Sequence, residues 1–426
     1  MAAPTFTSAT GGSPAPVRTH TGSLALLASL FFMWGFITVI NNTLLPHLRN
    51  VFQLDYTRTT LIESVWFVAY FVASIPAALL IERIGYRRSI VVGLLIMAAG
   101  SLGMIVAARL PSYPVTLASL FVVACGIALL QVAANPFVTA LGPPETAESR
   151  LTLVQAFNST GTWLAPLFGG VLILSRTRGG TAAAGAQALS QADRYRDALA
   201  TQLPYALVAG VLIALAVVFA RARLAEPAPM RAANGQRARR RDLLRHRNLV
   251  FGVPAIFIYL IAEIGVANLF INFVSQPDIG NVNQSTASHY LMLLWGGMAV
   301  GRFAGSYLMR HARGDHVLAG FALAAFAVMV GAAVLHGPAA MWALILVGLC
   351  HSIMFPTIFT LGIKGLGPLT EEGAGLLIMA ISGGALVVVQ GRLADVYGLQ
   401  TSFWLTAACE LYVLFYAVWG CRVQPR

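Results

Sequence analysis

The 426-residue chain is 58% hydrophobic and only 10% charged, and its mean hydropathy is +0.74. Soluble domains carry roughly a quarter charged residues, so the composition excludes an ordinary aqueous globule and points to the bilayer as solvent. The formal charge of +12 does not signal nucleic acid, because the basic residues are sorted between the two sides of a series of apolar segments.

Residues 1–22 are rich in Ala, Pro, Ser, Thr and Gly and lack the charged start and short apolar core of a cleavable signal. They read as a flexible cytoplasmic tail. Crossing a hydrocarbon layer of ~30 Å takes roughly 20 apolar residues. Twelve such runs follow, near 23–45, 59–81, 88–108, 114–140, 151–174, 203–221, 249–274, 286–309, 317–335, 339–363, 371–391 and 400–421. The pattern predicts an all-α membrane protein of twelve transmembrane helices.

Of the 28 basic residues all but Lys364 are Arg; with the N-terminus inside, 20 fall on the cytoplasmic side and 8 opposite. This positive-inside bias places both termini in the cytoplasm. The densest run, Arg237, Arg239, Arg240, Arg241, Arg245 and Arg247, joins spans six and seven, where it would lie beside anionic lipid. Cys125, Cys350, Cys409 and Cys421 sit in or at the ends of apolar spans without CxxC spacing, so neither a disulfide framework nor a metal site is indicated. No HExxH, nucleophile elbow or phosphate loop appears, so no enzyme and no cofactor are expected.

A shift of 220 residues lays Pro136 on Pro356 and Leu141-Gly142 on Leu361-Gly362, and a shift of 222 lays Gly161 on Gly383 and Gly169 on Gly391. Spans four and five thus echo spans ten and eleven, as in transporters built from repeats around a mid-membrane site. The predicted organisation is a tail at 1–22, a six-helix bundle at 23–221, a basic cytoplasmic linker at 222–248 and a second six-helix bundle at 249–422, the two bundles being pseudo-symmetric.

Between spans two and three the chain reads Glu82-Arg83-Ile84-Gly85-Tyr86-Arg87-Arg88, and after span eight Gly301-Arg302-Phe303-Ala304-Gly305. An acid facing Arg across a tight Gly turn can form a latch that breaks when helices slide. Glu82, Arg83, Arg87 and Arg302 are therefore the expected cytoplasmic gate.

Polar side chains deep in a span tend to face a cavity or another helix. Asn41 and Asn42 precede Pro46 in span one; Gln131 and Asn135 share a face of span four beside Pro136. Gln155, Asn158 and Thr162 form a stripe on span five, and Asn268 and Asn272 lie one turn apart on span seven. His351 stands where the 220-residue shift puts Gln131, and could bond a ligand or carry a proton. Amides that both donate and accept suit a hydroxyl-covered ligand; the competing role is to fasten helix to helix. Trp66 and Trp295 are candidates to stack on a sugar face or to pack the core.

The runs Phe31-Phe32-Met33-Trp34-Gly35-Phe36, Asn41-Asn42-Thr43-Leu44-Leu45-Pro46, Ala133-Ala134-Asn135-Pro136-Phe137-Val138-Thr139, Gln155-Ala156-Phe157-Asn158-Ser159 and Phe355-Pro356-Thr357-Ile358-Phe359 occur in this order across nearly the whole chain. Together they resemble the fucose permease and glucose/galactose transporter family of the major facilitator type. The resemblance implies two six-helix bundles, alternating access, and uptake of a monosaccharide, usually with a proton. In that family the first run normally reads Asn-Asp and the second is usually preceded by Glu-Thr, whereas this chain has Asn42 and Gln131-Val132. Amides there cannot titrate, which points to uniport through the family's usual pair of positions.

Three groups could restore coupling to a proton or sodium ion: Glu63 near the outer end of span two, Glu263 in span seven, and His351. Glu263 precedes Asn268 by five residues, roughly 140° around a regular helix, so only a distortion at Gly265 would bring both to one cavity. Glu410, mid-way along span twelve, reads as a partnered structural or subunit-contact residue. The expectation is a monomeric carrier in lipid at the bacterial inner membrane, importing glucose, galactose, fucose or a disaccharide such as sucrose. A drug exporter of the same fold and a sugar sensor are the rivals.

Overall fold

The computed structural model describes residues 20–52, 56–109, 112–172, 199, 202–224, 226 and 240–423, and among these every regular element is helical. In chain order they are α1 (Thr21–Phe52), α2 (Tyr56–Ile84), α3 (Tyr86–Arg109), α4 (Tyr113–Ala140), α5 (Ala147–Leu172), α6 (Gln202–Arg221), α7 (Arg247–Val274) and α8 (Gln284–Leu308). Then come α9 (Gly314–Val334), α10 (Gly337–His351), α11 (Met354–Ile363), α12 (Thr370–Met379), a 3₁₀ segment (Ala380–Leu386), α13 (Val387–Tyr397) and α14 (Leu399–Phe415), which ends in a π turn (Tyr416–Gly420). Ten stretches of the described residues are long and apolar enough to cross a membrane, with α10–α11 and α12–α13 each counting as one span. With α5 and α8, which carry buried polar side chains, they make twelve.

Several helices overrun the apolar runs that announce them: α1 continues to Phe52 and α2 begins at Tyr56. Backbone hydrogen bonding keeps paying off past the hydrocarbon edge, where apolarity is no longer needed. Spans ten and eleven are broken. Pro356 has no N–H to donate to the Ser352 carbonyl, and α10 ends at His351 before α11 starts at Met354. Span eleven tightens to 3₁₀ across Ala380–Leu386, which contains Gly383 and Gly384.

Within the first six spans α1 packs on α5, α3 on α4 and α6, and α2 on α4; within the last six α9 packs on α10 and α14, α8 on α10, and α7 on α11, α14 and the 3₁₀ segment. The two sixes meet where α5 lies against α8 and α2 against α12 and the 3₁₀ segment. The repeat seen in the sequence has a steric cause. A Cβ on Gly161 would fall on the Phe32 carbonyl of α1, and one on Gly383 on the Phe257 carbonyl of α7. Span five thus nests on span one as span eleven nests on span seven, through close approach that small residues allow between membrane helices.

The face at which α1 begins is here called proximal. On it the amide of His20 donates to the Leu141 carbonyl at the end of α4 at 3.0 Å, and both sixes are tied across their seam. Tyr86 donates to Glu371 Oε1 at 2.9 Å, Lys364 Nζ lies 3.8 Å from Glu148 Oε1, and Ser149 and Ser306 each give their hydroxyl to the other's carbonyl at 2.6 and 2.8 Å. Chain ends are capped from a distance as well. Arg150 donates to the carbonyls of Thr139 and Pro143 at 2.6 and 2.8 Å, and Asn248 donates to those of Leu361 and Lys364 at 2.8 and 2.9 Å.

Gly161→Ala is expected to destabilise the purified protein by about 1–3 kcal/mol, because the added methyl has only backbone to push against. Gly210→Ala on α6, whose Cβ would meet nothing within 4 Å, serves as its control, with a gain of up to ~1 kcal/mol. Thermal unfolding in detergent measures both.

Candidate functional site

Gln131 and Asn135 stand one turn apart on α4, and both are buried. Gln131 Nε2 donates to the Tyr70 hydroxyl of α2 at 2.5 Å. Asn135 is 0% exposed, and neither Nδ2 nor Oδ1 has a partner among the described residues. On α5, Gln155 Nε2 and Thr152 Oγ1 are likewise buried and unpartnered. A buried polar group left unbonded costs roughly 1–3 kcal/mol, and native structures meet that cost with water or a ligand. Four such atoms, on two helices that touch one another, keep hydrogen-bonding capacity unspent among the described residues.

The rest of the α5 stripe is spent on packing. Asn158 Nδ2 donates to the Phe31 carbonyl at 2.9 Å and Thr162 Oγ1 to the Asn158 carbonyl at 3.0 Å. Gly35 makes room on α1, since a Cβ there would lie 2.7 Å from Asn158 Nδ2. Trp66 and Trp295 are partly buried against apolar clusters, the one packed on the cluster that holds Met104 and Tyr205 and the other on the cluster that holds Phe270 and Leu294. The side chains of Asn42 and Glu63 lie outside the described residues.

α7 runs unbroken from Arg247 to Val274, so no distortion at Gly265 swings Glu263 and Asn268 together. Asn268 and Asn272 are exposed, and Glu263 is half-buried. Gly265 instead faces Gln390 of α13, a wholly buried amide whose Oε1 and Nε2 have no partner among the described residues. Glu263 stands one turn from Tyr259 on α7.

His351 is not open to a cavity. Its side chain is 2% exposed, and Nε2 sits 2.8 Å from Oε1 of Glu410, which is 0% exposed. Glu410 therefore finds its partner within the chain, leaving Oε2 unbonded. Tyr259 stands edge-on to the imidazole at 5.5 Å and donates its hydroxyl to the His351 carbonyl at 3.1 Å. That carbonyl is one of those released where span ten breaks.

The four gate candidates separate. Glu82 and Arg83 are exposed at the end of α2. Arg87 pairs with Glu226 at 3.4 Å and donates to the Ala222 carbonyl at 3.0 Å, so it ties its turn to the segment after α6 rather than to the other six spans. Arg302 is buried at the seam. Its Nε donates to the Ser352 carbonyl at 3.0 Å, the acceptor that Pro356 leaves free, and its Nη1 donates to the Gln155 carbonyl at 3.2 Å and to the Ser159 hydroxyl.

Sequence reasoning missed Tyr70, Tyr259 and Gln390. Tyr70 is 61 residues from Gln131, and no spacing rule links positions on different helices. Ser352 was open to inference, because a proline four residues on always orphans a carbonyl.

The model for the Major Facilitator Superfamily matches residues 26–389. A glucose/galactose transporter of Brucella abortus biovar 1 (strain 9-941) is 43% identical over 417 residues, 96% of this chain and 98% of that protein. The L-fucose-proton symporter of Escherichia coli (strain K12) is 32% identical over 412 residues, 94% of this chain and 93% of that one. The crystal structure of FucP, a transporter of this superfamily in the outward conformation, superposes with a TM-score of 0.83 at 31% identity, covering 94% of this chain and 99% of that one.

The His351–Glu410 pair makes a prediction that holds whatever passes through the site. His351→Leu strands a carboxyl in an apolar interior and should cost about 3–5 kcal/mol, whereas the double variant His351→Leu/Glu410→Leu should recover most of that loss. A double-mutant cycle of thermal unfolding reads the coupling.

Proposed function

The chain belongs to the major facilitator superfamily, and on that premise we propose that it imports a small neutral sugar across the bacterial inner membrane by alternating access. The observation that carries this reading is that the amide and hydroxyl atoms of Asn135, Gln155 and Thr152, on two touching helices, are buried and unpartnered among the described residues. Such groups discriminate strongly in favour of a ligand that bonds them and against one that leaves them unmet, which suits a hexose more than an apolar drug. The names of the similar transporters, one for glucose and galactose and one for L-fucose, agree with a hexose.

In this reading the halves 23–221 and 249–422, joined by the basic linker 222–248, rock about a site formed from spans one, four, five, seven and ten. Gln131, Asn135 and Gln155 line it from the first half, with Asn42 on span one; Asn268 and Asn272 contribute from α7. Asn158 shapes it by fixing α5 on α1, and His351 acts from behind through Glu410. The proximal face is the cytoplasmic one, as the excess of Arg on that side favours. The ties of Tyr86 to Glu371, Glu148 to Lys364 and Ser149 to Ser306 hold that face shut, in keeping with the outward conformation of FucP.

Asn42 and Gln131 offer no ionisable proton, so the first half by itself is a uniporter's binding site. Proton symport is the second reading, favoured by the name of the similar L-fucose-proton symporter, with half-buried Glu263 as the candidate acid.

Counterflow of radiolabelled sugars in proteoliposomes tests the carrier reading. Glucose, galactose or fucose should exchange, and Asn135→Ala and Gln155→Ala should each raise the half-saturating concentration about tenfold, the equivalent of one hydrogen bond at ~1.4 kcal/mol. Exchange of none of a broad sugar panel, or indifference to both substitutions, would remove the sugar from this site.

A further inference from the structure

The proximal end of span twelve carries positive charge that the described residues leave unanswered. α14 closes in the π turn Tyr416–Gly420, and two guanidiniums reach for the carbonyls of adjacent residues there. Arg247, the first residue of α7, lies over the Trp419 ring 3.1 Å from its centroid and donates Nη2 to the Trp419 carbonyl at 2.8 Å. Arg422 donates Nε to the Val418 carbonyl at 3.2 Å. A helix C-terminus offers roughly half an elementary charge of opposite sign, too little for two cations, and like charges brought together repel. Neither arginine enters an ion pair among the described residues, and Arg247 Nε is without a partner there. The carboxylates before α7 and at the start of α9 are taken by other cations: Asp242 lies 3.5 Å from Arg245 and Asp315 2.7 Å from Arg313.

The apolar side chains around these cations indicate which anion completes them. A 3₁₀ turn, Arg240–Arg245, leads into α7, and in such a turn residues three apart share a face. Leu243 packs into the core, whereas Leu244, on the face of exposed Arg241, is itself 77% exposed. On α14, Phe415, Val418 and Trp419 form an exposed stripe at helical spacing that runs from the two guanidiniums toward the middle of the span. A leucine held out among arginines and a tryptophan beneath a guanidinium are features of a membrane–water boundary. A free anion would engage the cations and leave this apolar surface bare; a phospholipid engages both.

We propose that this junction binds one anionic phospholipid from the leaflet on the proximal side, its phosphate between Arg247 and Arg422 and its acyl chains along Leu244 and the α14 stripe. The Trp419 ring and carbonyl hold the Arg247 guanidinium in place, so little side-chain freedom is lost when the phosphate arrives. A net negative headgroup is selected, because a zwitterionic one brings its own cation to a site that already has two. The chain enters the second half through the 3₁₀ turn, and a bound lipid therefore fastens the end of the connecting segment to span twelve. The site is independent of what the carrier moves.

The full chain in detergent, titrated with phosphatidylglycerol, with phosphatidylcholine of the same acyl chains and with inorganic phosphate, tests this by native mass spectrometry and thermal unfolding. Phosphatidylglycerol should be retained as one molecule, raise the unfolding midpoint saturably, and bind about tenfold more tightly than phosphatidylcholine. That margin should shrink in about 0.5 M salt, as screening requires. Arg422→Gln, at the exposed end of the chain, should remove most of the preference, and Leu244→Gln should weaken both lipids alike. Arg88→Gln, an exposed position on α3 at the same face, should change nothing. Arg247→Gln also gives up the Trp419 carbonyl, so Arg422→Gln carries the test. Equal binding of the two lipids overturns the proposal, as does an undiminished preference in Arg422→Gln. Stabilisation by inorganic phosphate alone to the level of phosphatidylglycerol makes the site one for a free anion and overturns the lipid.

Discussion

The seam between α5 and α8 is organised by a cation that has nowhere to go. A guanidinium cannot be neutralised at accessible pH, and inside a bilayer it must be surrounded by acceptors. Two features of the fold provide them. Pro356 breaks span ten and orphans the Ser352 carbonyl, and the Gly-lined approach of α5 to α1 leaves the Gln155 carbonyl and Ser159 hydroxyl facing the second half. The helix break is thus a consequence of one residue and at the same time a socket for another.

The polar residues of the spans divide by what they already bond. Asn158, Asn248 and Arg150 have acceptors within the chain and belong to the architecture. They satisfy carbonyls at helix ends and helix contacts that no water would reach. Asn135, Thr152 and Gln155 keep atoms in reserve.

Charge follows a similar logic. The first half presents amides where the resembling family titrates, and in the second half Tyr259 stands against the buried His351–Glu410 pair. Within that group His351 and Glu410 satisfy one another, so the pair can stay buried.

The sequence by itself determined the solvent, the twelve spans and the internal repeat, because the length of an apolar run, the one-sided placement of Arg and a recurring Gly or Pro are local properties that the bilayer reads directly. It also marked Gln131, Asn135 and Gln155, since a polar side chain in an apolar run stands out without reference to any neighbour. What it left undecided was the partner of each. That Asn158 fastens α1, that His351 closes on Glu410, that Arg87 turns to Glu226 and Arg302 to α5 depends on rotation and depth of helices relative to one another. Those are fixed by side-chain packing and close glycine contacts between segments far apart in the chain, for which a single sequence has no period to reveal.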